Sequence, residues 1–207
     1  MNLTHEIEVC QRCVHFESPE RLNISEKPYV KFQVEQIWKP KDGSINVLFI
    51  AESPPWNGKQ NYFYNPNTLK KRTGLRKEVF KHLNIDSLEH FKAKGYFLID
   101  AIKCRLNKEK PHTNVPKEVL KTCSEQFLKR EIAELKPNPT IFVLGNSAKE
   151  ALQQFSEFRK LQCHKVTDED DFDEILSGYR VILCPFPSRW NLLKHESKIK
   201  RAFSKIA

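Results

Sequence analysis

Four short apolar runs, separated by longer stretches of mixed polarity, organise this chain. They are VLFI at 47–50, YFLIDAI at 96–102, TIFVL at 140–144 and RVILC at 180–184. Runs of this kind are typical of parallel strands that are covered on both faces. Because parallel neighbours need crossover connections, the segments between them should hold helices. We therefore predict an α/β fold, a three-layer α/β/α sandwich around a central four-stranded parallel sheet, formed by a single domain over residues 1–207.

The segments between the runs carry apolar residues at helical spacing, which predicts helices at 68–83, 117–135, 147–155 and 192–206. Two other segments differ. Residues 29–37 alternate apolar and polar positions like an edge strand or a hairpin arm. Residues 157–178 have no clear period, and their acidic run favours a solvated loop.

Basic residues exceed acidic ones. Lys and Arg number 35 against 26 Asp and Glu, which gives a formal net charge of +9. A surplus of this size favours an anionic partner, and nucleic acid before a membrane. No apolar run approaches the ~20 residues that a membrane span needs, and Glu6 and Glu8 interrupt any apolar signal segment. We expect a soluble, cytoplasmic protein that acts as a monomer and binds no membrane.

The chain contains six cysteines, and without a secretory signal they favour metal or cluster binding over a disulfide framework. Cys10 and Cys13 form a CxxC pair, a spacing that lets two thiolates bind one metal centre from a short turn. Taken alone, such a pair is a weak signal.

Acidic residues follow two of the predicted strands. Glu52 comes directly after the first, in the sequence AESPP, and Asp100 lies near the end of the second. In open α/β sheets, ligands bind beyond the carboxyl ends of the strands. Glu52 and the aromatic residues at 62–64 are therefore candidate site residues. A strand exit with a loop aromatic packed over it explains the same pattern without a ligand.

Together these features resemble the uracil-DNA glycosylase superfamily, most closely its iron-sulfur family 4, from Val9 to Phe203. The most specific matches are CQRC at 10–13, DAIKCRLNKEKPHTNVPKEVLKTC at 100–123, and IFVLGNSAKEAL at 141–152, which is similar to the family's IIVALGxxAxxAL. The resemblance implies a DNA repair glycosylase that flips out a damaged or deaminated base, of uracil or hypoxanthine type, and hydrolyses its N-glycosidic bond. A catalytically weak or inactive iron-sulfur relative that binds nucleic acid is the alternative.

The resemblance also implies a four-iron, four-sulfur (4Fe-4S) cluster. The family's ligands are a CxxC pair, the cysteine of a KCR tripeptide and a cysteine early in the next helix, which correspond here to Cys10, Cys13, Cys104 and Cys123. A pair on one turn and two single cysteines that flank a loop can converge on one cluster, whereas structural zinc more often takes two close pairs. Zinc and free thiols are the alternatives. Cys163 and Cys184 match no ligand of the family.

The active-site motifs depart from the family's pattern. Its GEGPG or GEAPG is AESPP here, so Glu52 keeps the acid while the glycines are lost. The family's uracil-reading asparagine is Asp100. Its HPS motif is FPS at 186–188, which removes the histidine that donates to the leaving base. Ser188, Asn191 or a backbone amide has to replace that donor.

Three sets of site residues follow from the resemblance. The catalytic candidates are Glu52, Asp100 and Ser188, with Glu52 stabilising positive charge on the sugar and positioning water. The base-binding candidates are Ser53, Tyr62, Phe63 and Asp100, with Phe63 as the ring that stacks on the base. The DNA-binding candidates are Arg189, Trp190 and Asn191, together with Lys70 and Lys71, which come from the strongly basic helix predicted at 68–83; a solvated face explains that helix equally. Arg189 or Trp190 would act as a wedge into the duplex, although a tryptophan that anchors its loop on the core fits equally.

Asp100 leads to a hypothesis about the substrate. An asparagine can donate to O4 of uracil and accept from its N3–H, but an ionised aspartate can only accept. A base edge that presents donors, or an Asp100 kept neutral by burial, would restore the match. We expect weak activity on uracil, hypoxanthine to be at least as good a substrate, and, if Glu52 is competent, faster uracil excision after Asp100→Asn.

Overall fold

The computed structural model describes residues 3–18, 21–38, 45–55, 62–66, 74–107, 115–135, 137–168 and 171–207. Its strands in chain order are β1 (Leu22–Asn23), β2 (Val47–Ala51), β3 (Tyr96–Asp100), β4 (Arg105–Leu106), β5 (Thr140–Leu144), β6 (Asp173–Leu176) and β7 (Tyr179–Cys184). β1 and β4 form a short antiparallel pair. The other strands form the central sheet of a three-layer α/β/α fold, in the order β3-β2-β5-β7-β6.

The four predicted strands are parallel to one another, as expected. The sheet has a fifth strand, however, so the prediction of a purely four-stranded parallel sheet was incomplete. β6 pairs antiparallel with β7 at the sheet edge, inside the segment predicted to be a solvated loop. Its sequence, DEIL, is half acidic, and Ile175 is 68% exposed. An edge strand of this kind lacks the apolar run by which the buried strands were recognised.

The helices in chain order are α1 (Leu3–Val9), α2 (Pro28–Lys31), α3 (Val34–Trp38), α4 (Leu75–Leu83), α5 (Leu88–Ala93), α6 (Lys117–Cys123), α7 (Lys129–Glu134), α8 (Asn146–Leu152) and α9 (Arg189–Ser204). A π-helical turn, Ser124–Leu128, joins α6 to α7, so the helix predicted at 117–135 is confirmed as one helical stretch. Short 3-10 helices occupy Val14–Phe16 and Ser156–Cys163. No helix in the described ranges is long and apolar enough to cross a membrane.

The prediction of an edge strand at 29–37 was wrong, because this segment forms α2 and α3. Pro28 begins α2 at a position where its missing N–H costs nothing. Gln33 then takes a left-handed conformation, with φ of 50°, and separates the two helices. Tyr29 and Val34 are buried, one on each helix. The apolar–polar alternation therefore arose from two short helical turns.

Aromatic rings connect the sheet to its helices. Phe49 of β2 contacts Phe142 of β5, with ring centroids 5.1 Å apart. The same ring packs against Phe91 of α5 and Phe203 of α9. Burial of this many large side chains fixes the strands in register. The positions of the strand ends follow from that register.

Candidate active site and metal centre

The carboxyl ends of the parallel strands bring the two predicted acids to one edge of the sheet. Ala51 ends β2 directly beside Asp100, which ends β3. The pairing continues past the strands, since the amide of Ile102 donates to the carbonyl of Glu52 over 3.0 Å. On the other side of β2, the amide of Gly145 donates to the carbonyl of Cys184, over 2.9 Å. Glu52 therefore follows β2, which lies between β3 and β5, near the middle of the sheet's carboxyl edge.

Glu52 is half-buried and held from the next strand. The hydroxyl of Ser147 donates to its Oε2 over 2.5 Å. Ser147 lies in the first turn of α8, where the chain leaves β5. The sequence analysis did not identify this residue. The sequence feature that could have pointed to Ser147 is its position just after Gly145, at the end of β5, the strand adjacent to β2.

Asp100 is buried, with 6% of its surface exposed. Burial raises the pKa of this carboxyl group to about 7; nearby Lys103 opposes the shift, and Glu131 and Glu52 add to it. Among the described residues, none forms a hydrogen bond or ion pair with the Asp100 carboxyl group. A buried acid of this kind at a strand end is a candidate for contact with a ligand.

A buried lysine that the sequence analysis did not single out lies below Asp100. Lys103 Nζ donates to the backbone carbonyl of Asp100 over 2.5 Å and lies 2.5 Å from Oε2 of Glu131. It also lies over the ring of Tyr29. Its backbone amide donates to Sγ of Cys123 over 3.3 Å. Lys103 therefore links the strand end that carries Asp100 to the helix that carries Cys123.

The aromatic residues at 62–64 are buried against the core. Phe63 is surrounded by the rings of Tyr64, Phe80 and Phe91. Tyr62 stacks on Phe32, and its pKa is raised well above the usual value by burial first and then by Asp100. Tyr62 and Phe63 are each only 3% exposed, so both rings belong to the core. Ser53 is half-buried beside Glu52.

The turn at 186–188 is held tightly over the end of β5. Gly145 has φ of 88°, and a Cβ there would come within 3.1 Å of Cβ of Phe186. The carbonyl of Phe186 accepts hydrogen bonds from the amide of Ser188, over 2.7 Å, and from Nδ2 of Asn191, over 2.8 Å. Ser188 caps α9, because its Oγ accepts the amide hydrogen of Asn191. Asn191 thus stabilises the turn, and Ser188 lies at the amino terminus of α9.

The predicted wedge residues lie on the exposed side of the first turns of α9. Arg189 is exposed and Trp190 is 63% exposed, with Leu193 exposed one turn later. An exposed tryptophan does not anchor the loop on the core, so that alternative was wrong. Lys70 and Lys71 lie outside the described residues. Arg76, in the described part of the same basic segment, donates to the carbonyls of Phe63 and Asn65.

A family model described as the uracil DNA glycosylase superfamily matches residues 40–207. The chain belongs to the uracil DNA glycosylase superfamily. Members of this superfamily are generally DNA glycosylases, hydrolases that act on DNA. Searches of curated proteins and of solved structures gave no significant match.

The matched region of this superfamily member includes Cys104 and Cys123 but not the CxxC pair. The structure nevertheless brings all four cysteines to the wall of one small cavity. Apolar side chains, among them Leu22, Ile102 and Phe127, form much of its wall, together with the cations Arg12 and Lys103. Within the described residues, no group of three or more His, Cys, Asp or Glu side chains is arranged to hold a metal ion.

Burial governs the chemistry of these thiols. It raises the pKa of Cys104 to about 12 and raises the pKa of Cys13 and Cys123 as well. The amino-terminal segment is held in place by Lys27, whose Nζ donates to the carbonyl of Cys10 over 2.8 Å. A bidentate ion pair between Arg130 and Glu6 connects α7 to α1. The CxxC pair is thus docked on the helix that follows Cys123.

Proposed function

We propose that this protein is a DNA glycosylase that hydrolyses the N-glycosidic bond of a deaminated base, of uracil or hypoxanthine type, after the base has been flipped out of DNA. The observation that carries the proposal is the meeting of Glu52 and Asp100 at the carboxyl edge of the parallel sheet. Ligands of open α/β sheets bind at this edge. Superfamily membership supports the reaction class.

Glu52 is proposed to act on the sugar. As the base departs, positive charge develops on the sugar ring, and a carboxylate beside it stabilises that charge and orients the attacking water. The hydrogen bond from Ser147 holds the carboxylate in one orientation. A group that is already oriented needs no reorganisation during the reaction, which is why such positioning accelerates it.

The departing base is proposed to be stabilised by the amino terminus of α9. Negative charge develops on the base as the bond breaks, and the family's histidine donor is replaced here by Phe186. Ser188 caps the first turn of α9, which has a kink at His195, and the first backbone amides of that turn favour an anion. Its hydroxyl oxygen accepts from Asn191, so the hydroxyl proton can donate to the base.

Tyr62, Asp100, Arg189 and Trp190 complete the proposed base and DNA contacts. Phe63 and Tyr62, which follow the turn after Glu52, are the proposed rings for the base, which would reach them once the covering side chains move aside. Exposed Trp190 supports a wedge that fills the gap left in the duplex. Both contacts serve the same purpose, because the base has to leave its stack before its sugar can be reached.

Cys10, Cys13, Cys104 and Cys123 are proposed to hold a 4Fe-4S cluster, and their surroundings fit it. A single zinc ion draws its thiolates to about 2.3 Å from one centre, whereas the thiolates of a cubane cluster bind different irons and lie farther apart. Four thiols on the wall of one cavity are the ligand set that the four irons of such a cluster need. When bound, the cluster would cross-link the amino-terminal segment to the loop after β3. The reaction proposed above needs no redox step.

The proposal is tested with DNA of defined damage. Anaerobically purified protein is incubated with oligonucleotides that carry one uracil, hypoxanthine, xanthine or mismatched base, in single strands and in duplexes. Alkali-labile abasic sites should form at uracil or hypoxanthine and not at the undamaged bases. Abasic sites at none of these bases, from protein that still binds the oligonucleotides, would show a binding protein instead of a glycosylase.

A further inference from the structure

Two buried carboxyl groups share one buried cation beneath the proposed base site. Asp100 is 6% exposed and Glu131 of α7 is 2% exposed, and Lys103 between them is 1% exposed. A buried carboxylate is stable only when it is paired or protonated. One lysine can compensate one carboxylate, so the group of three is stable with one acid in its neutral form.

The hydrogen bonds decide which acid takes the proton. Lys103 Nζ forms its ion pair with Glu131, 2.5 Å from Oε2, and this pairing opposes the burial that raises the pKa of Glu131. Towards Asp100 the same ammonium group donates to the backbone carbonyl, over 2.5 Å. The described part of the chain offers the Asp100 carboxyl group no donor of its own. Glu131 is therefore the ionised partner, and Asp100 is the acid without compensation.

Resting on the function proposed above, we propose that Asp100 meets the flipped base as a neutral carboxylic acid, and that Glu131 keeps it neutral by holding Lys103. A neutral acid has one donor and one acceptor, as an asparagine amide does. It can pair with a base edge that presents an N–H beside a carbonyl oxygen. That edge is shared by uracil, hypoxanthine and xanthine, the products of base deamination.

The charges around Asp100 agree with this assignment. Glu52 approaches from the end of β2 and Glu131 from α7, and both disfavour ionisation of Asp100, whereas Lys103 favours it less strongly than burial opposes it. Tyr62 and Tyr64 face it as neutral phenols, because burial raises the pKa of each well above the usual value. With its pKa raised to about 7, Asp100 loses its donor as the pH rises through neutrality.

The first test is the pH profile of single-turnover base release with a uracil oligonucleotide. The wild-type rate should fall about tenfold per pH unit above about pH 7. Asp100→Asn should remove that fall, since its amide keeps its donor at all these pH values. Glu131→Gln should shift the fall to lower pH, because Lys103 then acts on Asp100 without an opposing charge. Glu134→Gln, the same change at an exposed position of α7, should keep the wild-type profile.

A second test needs no catalysis and so separates this inference from the proposed function. The melting temperature of the wild type should fall relative to that of Asp100→Asn as the pH rises from about 4 to about 7, because only between the usual pKa of Asp and the raised pKa of folded Asp100 does the folded state bind the extra proton. At about pH 6, where exposed Asp and Glu are ionised, the infrared band of a protonated carboxyl group should be stronger in the wild type than in Asp100→Asn, and the difference should disappear well above pH 7. If the difference in melting temperature between the wild type and Asp100→Asn is the same at every pH, and their infrared bands do not differ, Asp100 is not a neutral acid. A neutral Asp100 with pH-independent uracil release would overturn its role in reading the base.

Discussion

Ser188 combines a structural role and a proposed catalytic role in one hydroxyl group. It accepts the amide hydrogen of Asn191 at the start of α9, just as Ser87 accepts the amide hydrogen of His90 in α5. Loss of such a cap typically costs about 1 kcal/mol. We therefore expect Ser188→Ala and Ser87→Ala to lower the free energy of unfolding to a similar extent, about 1 kcal/mol, in urea titrations.

Only the first variant should also affect chemistry. Removal of one donor to a developing anion typically slows a reaction by about 10²-fold, so we expect a loss of that order in single-turnover base release by Ser188→Ala. Ser87→Ala serves as the matched control, because its cap lies on a different helix. Equal rates of base release by the two variants would show that Ser188 caps α9 and has no role in the reaction.

Residues at strand ends could be predicted from the sequence, whereas residues that act through packing could not. Glu52 and Asp100 each follow an apolar run, and parallel strands bring their carboxyl ends together. The contact between Lys103 and Glu131 depends on how α7 packs beneath β3, and no local pattern encodes that. Glu131 lies in a helix whose apolar spacing signals burial of its neighbours but not of the acid itself.

At the scale of elements, the amino-terminal turns of α9 form the most exposed part of the proposed site. Trp190 is 63% exposed, so Trp190→Ala should change the free energy of unfolding by no more than about 0.5 kcal/mol. Stacking of a base on an aromatic ring is worth about 1–3 kcal/mol, so the affinity of Trp190→Ala for DNA should be about tenfold or more below that of the wild type. Fluorescence anisotropy with labelled duplexes measures this loss.

The matched control is Ile175→Ala, an equally exposed apolar residue on β6. Ile175→Ala should leave the affinity for DNA unchanged, because Ile175 pairs with Arg180 near the amino end of β7, whereas Trp190 follows the carboxyl end of that strand. The same small change in affinity for both variants would contradict a wedge at Trp190.

Elements defined by a continuous apolar run could be predicted, and those defined by their neighbours could not. The four parallel strands are buried on both faces, and their sequences show it. β6 exists because β7 offers it a hydrogen-bonding edge, and its own residues, Asp173–Leu176, are mostly polar. α2 and α3 are too short for a helical period, so their alternation was misread as a strand.

At the scale of the whole molecule, the proposed cluster joins segments that are distant in sequence. Anaerobically purified protein should contain about four irons per chain. Cys104→Ala should lose the iron and lower the melting temperature, because the segment at 10–13 is then no longer cross-linked to the loop after β3. Iron analysis and thermal unfolding measure both effects.

Cys184→Ala is the control for this prediction. Cys184 is buried at the end of β7 and is not among the residues that line the cysteine cavity. Its variant should keep the iron even if the core is loosened. Stoichiometric zinc without iron in the wild type would contradict the cluster.

The protein is proposed to break the bond between a base and its sugar, with Glu52 at the reacting centre. The most direct measurement is the free base itself, quantified by mass spectrometry after single-turnover incubation with uracil- and hypoxanthine-containing oligonucleotides. We expect one free base per abasic site. Glu52→Gln should lower the rate about 10²-fold or more. Glu150→Gln, at an exposed position of α8, should leave the rate unchanged. Release of no free base by the cluster-loaded wild type, or equal release by Glu52→Gln, would contradict this proposal.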